Sequence, residues 1–361
     1  MKTLTINGVF LGSTFPAFLT SDYEAVINRY LIAHRFRSLV TIYDQDVDII
    51  SKSVNELHVN SDVSHIKIPV VAGESFKSLQ SFGALLSTLQ SARALNPGMA
   101  IIIGGGTICN CAGFVASIWK DMQQLVIPTT YTAMCDVAVG SLHMLNSGAD
   151  KNGLRVYSDP MGIILDSRYI NSLLLSERRN GLVETVKHAL TQDADTFDEL
   201  EKSIEDDTIF ENQSLFDMAI RTALLKSALL GEDPHGNHTE AILNYGHTIA
   251  HMIESANNYS IPHGESVSLG ILVELAIYND VNTELFARVR TMLQNLGLPV
   301  KMPQSTGVDQ LIDHIKFRRS MGEKYLIPRV DIVGKISPGG GNYRQIAEMA
   351  KIIDTLKIIH Q

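Results

Sequence analysis

Two stretches of this chain hold the residues whose types and spacing suit chemistry. Asn244, His247 and His251 stand at i, i+3 and i+7, so a single helix over 239–257 would put all three on one face. His263 follows a turn around Tyr259 and opens the next helix, with Gly264 and Glu265 behind it. Glu184, Lys187 and His188, at i, i+3 and i+4, share a face of a helix over 176–190. Two imidazoles and a carboxylate on helices match a catalytic divalent-metal site, which keeps coordination positions open for substrate. The plainer alternative makes each histidine a surface or capping residue, and spacing alone leaves both readings open.

A second feature is the apolar run 100–103, which enters Gly104, Gly105 and Gly106 just before a helical pattern. Glycines let a backbone approach a ligand, and the N–H groups of the following helix favour a phosphate. That suits a dinucleotide pyrophosphate, although the run is not the spaced G-x-G-x-x-G fingerprint and also reads as a tight strand-to-helix turn. Asp44, just past an apolar run over 39–43, can accept a ribose hydroxyl or cap a helix.

The elements that must position these residues change character along the chain. Strands are expected over 39–43, 66–71, 100–103, 124–127 and 162–165. Helices over 21–35, 75–95 and 110–122 separate the earlier ones, the first opened by a capping box of Ser21 and Glu24. The N-terminal stretch 1–11 is expected to form a first strand pair. Alternating strands and helices predict a Rossmann-like, doubly wound α/β domain over 1–168. Long helical periods over 176–190, 216–230, 239–257, 265–279 and 283–296 predict a mostly helical domain over 169–361. A length of 361 residues agrees with two domains at roughly 150 residues each.

Composition removes several function classes. Thirty basic against 39 acidic residues leave a net charge of −9 without basic clusters, which argues against a nucleic-acid partner. No apolar run approaches the roughly 20 residues needed to span a bilayer, so no membrane association is expected. Nor does an A-x-A-like cleavage site follow the N-terminus. Three cysteines, two of them the closely spaced Cys109 and Cys111, make no disulfide framework and fit a reducing cytoplasm.

These residues fall into a recognisable order. GGGTICNCAGF (104–114), IPTT (127–130), Asp136, NGLVETVK (180–187), LNYGHTIAH (243–251) and PHGES (262–266), with AGESFKS (72–78) upstream, resemble the 3-dehydroquinate synthase family of sugar-phosphate cyclases across nearly the whole chain. The resemblance implies a homodimer with an NAD-binding α/β domain and a helical metal domain. Its activity would be that of a carbon–oxygen lyase acting on a small sugar phosphate. NAD oxidises a hydroxyl transiently, phosphate is eliminated, the ketone is reduced again, the ring opens, and an intramolecular aldol step closes a carbocycle. It further implies that Glu184, His247 and His263 hold zinc or cobalt. Asp44, Glu74, Lys77, Gly105, Gly106, Asn110, Thr129, Thr130, Lys151 and Asn152 would contact NAD. Asp136, Lys187, Lys226, Asn244, His251 and Arg319 would serve the substrate.

Departures from the family pattern bear on the substrate. Glu240 stands where 3-dehydroquinate synthases place an Arg that pairs with a substrate carboxylate, which favours a substrate without one. Asn110 and the spacing from Lys226 through Gly231, Glu232 and Asp233 are similar to the 2-deoxy-scyllo-inosose synthase branch, which takes glucose 6-phosphate; Asn244 departs from it. Leu142, beside His143, replaces a phosphate-contacting Lys. That change implies an altered substrate, a weakened enzyme, or His143 taking over. The alternatives are a 3-dehydroquinate synthase, a metal-dependent alcohol dehydrogenase, and a non-catalytic sugar-phosphate binder.

Overall fold

The computed structural model describes residues 1–10, 12–57, 62–92, 98–147, 150–234, 239–257, 259–279, 281–303, 308–309, 311–313, 325–337 and 345–360. The chain divides into two compact units, Met1–Leu173 with Leu230–Pro234, and Leu174–Leu229 with the described part of His235–Gln361.

The first unit is built on a seven-stranded sheet. β1 (Lys2–Asn7) and β2 (Thr14–Leu19) form an antiparallel hairpin, and after α1 (Tyr23–His34) come β3 (Ser38–Asp44), α2 (Asp48–Glu56), β4 (Ser64–Val70) and α3 (Leu79–Ser91). β5 (Gly98–Gly104), α4 (Gly106–Ile118), β6 (Met122–Pro128), the hairpin of β7 (Leu142–Ser147) and β8 (Asp150–Tyr157), β9 (Gly162–Leu165) and α5 (Ser167–Ser172) complete it. The order across the sheet is β1-β2-β9-β6-β5-β3-β4, and every pair except β1 with β2 is parallel. β5 is buried along its whole length and β3 nearly so, as expected for central parallel strands covered on both faces.

Strand order reverses next to β3. The chain leaves β3 outward to β4, then crosses back to β5 on the other side. Ligands of open α/β sheets bind outside the carboxyl ends of the strands at such a point. Asp44 ends β3 and Gly104 ends β5 there, so the sheet brings both to one rim.

The five expected parallel strands are all present; an N-terminal strand pair also forms, but only β1 lies within 1–11, its partner β2 following at Thr14–Leu19. Helix starts differ in detail. The cap of α1 is Asp22, whose side chain accepts from Ala25 N, and not the Ser21–Glu24 box. α4 begins at Gly106, four residues before the expected start, with Gly104 ending β5 and Gly105 as the extended cap between them. The hairpin over 142–157 carried no sequence signal, because LHMLNS lacks a run of β-branched residues.

The second unit is mostly helical: α6 (Leu175–Gln192), α7 (Ala194–Glu205), α8 (Asn212–Glu232), α9 (Glu240–Leu243), α10 (His247–Ala256), α11 (His263–Tyr278), α12 (Glu284–Asn295) and α13 (Met349–His360), with two short strand pairs before the last. α11 is buried from Ser266 to Ile277 and is the core helix of the unit, as its all-round apolar sequence requires. The helix expected over 239–257 is in fact two. Gly246, at φ +79°, turns the chain between α9 and α10. No helix of the described residues is long and apolar enough to cross a membrane.

Two histidines of the first unit, one buried and one half-buried, are held neutral by their surroundings. His143 of β7 lies against α4, where a Cβ on Gly113 would stand 2.2 Å from its Nδ1, and burial lowers its pKa to about 4. His65 of β4 meets Thr41 Oγ1 at 2.9 Å, and burial, helped by Lys67, lowers it likewise to about 4. Folded values below the ordinary 6.5 mean that this stability is present above pH 6.5 and lost as pH falls toward 4. For His143 the loss is on the order of 3 kcal/mol. Denaturant unfolding between pH 7 and 4.5 should show this decline, and His143→Gln should flatten it.

Candidate functional site

Three helix segments of the second unit converge on Glu184. This carboxylate, on α6, is 1 % exposed. Its Oε2 receives Lys187 Nζ at 2.6 Å from the next turn of α6. Its Oε1 faces Nε2 of His263 at 3.4 Å and Nε2 of His247 at 3.6 Å. Burial pushes the Glu184 carboxyl up, but the Lys187 ammonium beside it outweighs this and holds it well below the usual carboxylate range.

The other ring nitrogens decide what the two histidines offer. His247 Nδ1 lies 3.1 Å from the carbonyl oxygen of Tyr245, which can only accept, so that nitrogen carries the proton. His263 Nδ1 lies 2.9 Å from Oε1 of the buried Glu254 and is protonated for the same reason. Both Nε2 lone pairs then point toward Glu184 Oε1. Separations of 3.4 and 3.6 Å are long for hydrogen bonds. They fit ligand atoms around one ion, since two donors about 2.1 Å from a tetrahedral zinc lie about 3.4 Å apart. The donor set of one carboxylate and two imidazoles, each histidine braced through Nδ1, fits zinc or cobalt.

Interhelical caps hold these ligands in place. Glu265 N near the start of α11 donates to Asn180 Oδ1 of α6 at 3.0 Å. α10 runs back along α11: a Cβ on Gly270 would stand 1.9 Å from Gly246 O, and Glu254 lies opposite His263. His251, one turn beyond His247, packs edge-on against its ring with centroids 5.6 Å apart. Asn244 does not share that face. It is exposed at the C-terminal cap of α9, because the turn at Gly246 breaks the helix on which the i, i+3, i+7 spacing depended. Lys226 is half-buried on α8, and His188 is buried with Gln192 as partner. Glu240 is half-buried at the start of α9.

In the first unit, several expected cofactor residues meet around one that sequence reading missed. Asn146 donates to Glu74 Oε1 at 2.8 Å, accepts from Asn152 N at 3.0 Å, and its backbone N–H donates to Lys77 O at 2.9 Å. Lys77 Nζ in turn donates to Asn152 Oδ1. Lys151 is half-buried beside Asn152 on β8. Gly105 precedes α4 with no side chain over the helix N-terminus, and Thr130 packs against it. Thr129 N donates to Gly104 O, tying the end of β6 to the glycine turn. Thr107, also missed, accepts from Gly73 N at 3.3 Å and links the loop after β4 to the same turn. Asp44 is 7 % exposed; burial raises its pKa against a bond from Asp46 N.

Other placements are less simple. Asn110 spans α4 and β7, donating to Gly106 O at 2.9 Å and accepting from Met144 N at 2.8 Å, so both ends of its amide have structural partners. Asp136 sits in a π turn, Ala133–Val137, a conformation frequent at functional sites. His143 does not take over from Leu142. Alternation along β7 points the two residues to opposite faces, and the His143 ring is enclosed against α4. Arg319 lies outside the described residues.

Residues 67–180 match the 3-dehydroquinate synthase N-terminal domain and 181–319 the C-terminal domain. A 3-dehydroquinate synthase of Saccharolobus solfataricus is 31 % identical over 268 residues, covering 73 % of this chain and 74 % of that protein. The chain belongs to the 3-dehydroquinate synthase family, the sugar-phosphate cyclases. Also similar is the 2-deoxy-scyllo-inosose synthase of Micromonospora echinospora, 26 % identical over 273 residues, covering 74 % of this chain and 68 % of the relative. A solved 2-deoxy-scyllo-inosose synthase, complexed with carbaglucose-6-phosphate, NAD+ and Co2+, superposes with a TM-score of 0.86 at 20 % identity, covering 99 % of each chain. At that identity the match establishes a shared fold.

Glu184→Ala should abolish metal retention. In chelator it should also destabilise the chain by about 3–5 kcal/mol, because the Lys187 ammonium is left buried without its counter-charge. Metal analysis and denaturant titration check the two effects, and a variant that kept its metal would place the ligands elsewhere.

Proposed function

We propose that this chain is an NAD- and divalent-metal-dependent sugar-phosphate cyclase that eliminates phosphate and closes a carbocycle, acting on a substrate without a carboxylate such as glucose 6-phosphate. The observation that carries the reading is the set Glu184, His247 and His263, with Lys187 on the carboxylate's second oxygen. Bound NAD would remove and later restore one hydride, while the metal would polarise the substrate oxygens, acidifying the C–H bond next to the carbon that loses phosphate.

The side chains supply the rest. Glu184, His247 and His263 would hold the metal, with Glu254 and the Tyr245 carbonyl fixing the ring tautomers. Lys187, locked by Glu184, would offer Nζ–H groups to a substrate oxygen, and His251 with Lys226 and Arg319 would receive the phosphate. Asp136 and Asn244 would bind hydroxyl groups. Asp44, Glu74, Lys77, Gly105, Gly106, Asn110, Thr129, Thr130, Lys151 and Asn152 would hold the dinucleotide. In support, Glu74, Lys77 and Asn152 form one cluster through Asn146, and the strand order reverses beside Asp44 and the glycine turn. A homodimer acting in the cytoplasm completes the proposal.

The choice of substrate rests on Glu240, whose negative charge at the start of α9 opposes a carboxylate ligand. A second reading, 3-dehydroquinate synthase, is favoured by the relative at 31 % identity. Phosphate release with NAD and Co2+ present decides between them. Release from glucose 6-phosphate without net NADH supports the proposal. Release from 3-deoxy-arabino-heptulosonate 7-phosphate overturns the reading of Glu240, accumulating NADH indicates a dehydrogenase, and silence with these and sedoheptulose 7-phosphate favours a non-catalytic binder. Glu240→Arg should raise phosphate release from the heptulosonate at least about tenfold.

A further inference from the structure

Glu274 is a carboxylate for which the metal site and its proposed reaction leave no role. It lies on α11 about three turns beyond His263, on the same side of the helix, and is fully buried among Val273, Leu275, Ile277 and their neighbours. A lone carboxylate there costs several kcal/mol unless its oxygens are satisfied. They are satisfied by the start of α10. Gly246 N donates to Oε2 at 2.8 Å and Ile249 N to Oε1 at 3.3 Å, and Thr248 donates through its backbone and its hydroxyl.

Those donors are the N–H groups that a helix start leaves without partners. A residue at the cap position ordinarily takes one of them with its side chain, but here that position is Gly246, which has none. Its left-handed φ of +79°, with Ile271 Cγ1 2.6 Å from where a Cβ would stand, leaves no room for a side chain. Glu274 is therefore the cap of α10, supplied from another helix. The first residue of the capped helix is His247, and the backbone anchored on both sides of it is Gly246, Thr248 and Ile249.

We propose that Glu274 is a positioning residue for the metal: by gripping the first turn of α10 from α11, it sets where His247 Nε2 stands relative to His263 Nε2 and Glu184 Oε1. The histidine on α11 and the anchor of the histidine on α10 then belong to one rigid helix, so the ligand spacing is fixed within α11. This inference rests on the reading of Glu184, His247 and His263 as metal ligands, and goes beyond it by assigning a residue outside that set.

The test uses the full chain stripped of metal and titrated with Co2+ against a chelator, for wild type, Glu274→Gln and Glu274→Leu. Gln keeps the shape and one acceptor oxygen but turns an NH2 group toward a backbone donor. Leu removes the cap and leaves the buried N–H groups of Gly246, Thr248 and Ile249 without their acceptor, which lowers global stability. Cobalt affinity should fall roughly 10- to 100-fold, more for Leu than for Gln. At saturating cobalt the visible ligand-field spectrum should shift, because His247 sits differently. The metal-free unfolding midpoint should stay near wild type for Gln and fall for Leu, and amide exchange should quicken at Gly246, Thr248 and Ile249. Wild-type affinity and spectrum in the folded variants would overturn the proposal. So would weaker binding with an unchanged spectrum and a lowered midpoint, or failure of both variants to fold, since each makes Glu274 a support of the fold at large. Absence of cobalt binding by wild type would overturn the metal reading itself, which no result on the variants alone can do.

Discussion

A carboxylate buried to 1 % exposure must be surrounded by positive charge or donors, and the second unit is arranged to meet that demand at Glu184. One oxygen is met by Lys187 from the same helix. Among the described residues the other has no N–H partner and faces two Nε2 atoms whose tautomers present lone pairs. Three electron-rich atoms facing one point repel each other unless a cation lies among them. Two of the three residues, His247 and His263, are the first residues of α10 and α11, so the placement of those helix starts decides whether the three atoms meet.

Those starts are placed by caps that cross between helices. α6 caps α11 through Asn180, and α11 caps α10 through Glu274. α10 returns Glu254 to the first residue of α11. The glycines at 246, 264 and 270 sit where backbones approach too closely for a Cβ: that of Gly264 would stand 2.2 Å from Asn180 O, and that of Gly270 1.9 Å from Gly246 O. Side-chain caps within each helix would fix its start to its own loop; caps between helices fix the starts to each other. The proposed metal site would need the second kind of constraint, because ligand atoms tolerate only tenths of an ångström of displacement.

Much of this was legible in the sequence, for reasons that differ by element. The central strands announced themselves because a parallel strand covered on both faces is apolar throughout, as at 100–103. Glu184 and Lys187 were paired correctly because an i, i+3 spacing inside an unbroken helix is a local matter. The same logic failed at Asn244, where Gly246 turns the chain and strips the i, i+3, i+7 spacing of meaning. Asn146 and Glu274 were missed for a further reason. Their partners, Glu74 and Gly246, lie 72 and 28 residues away, and no local period marks such contacts. A single Glu inside an otherwise apolar helix such as GILVELAI was the available signal, since a charge there requires a partner.

The segment around Leu142 shows how strand geometry limits compensation. The resemblance implies a cation at 142, where this chain carries an aliphatic side chain, and the adjacent imidazole looks like a substitute when only the sequence is read. Successive residues of a strand face opposite ways, and β7 spends the His143 face on packing against Gly113 of α4. Rotating the imidazole outward would require a one-residue shift of β7 against β8, which would also carry Leu145 out of the core and break the bond from Met144 N to Asn110. The side chain at 142 is therefore the one that the strand commits to the outer face, and its loss of charge has to be met from another element or by a substrate that does not need it.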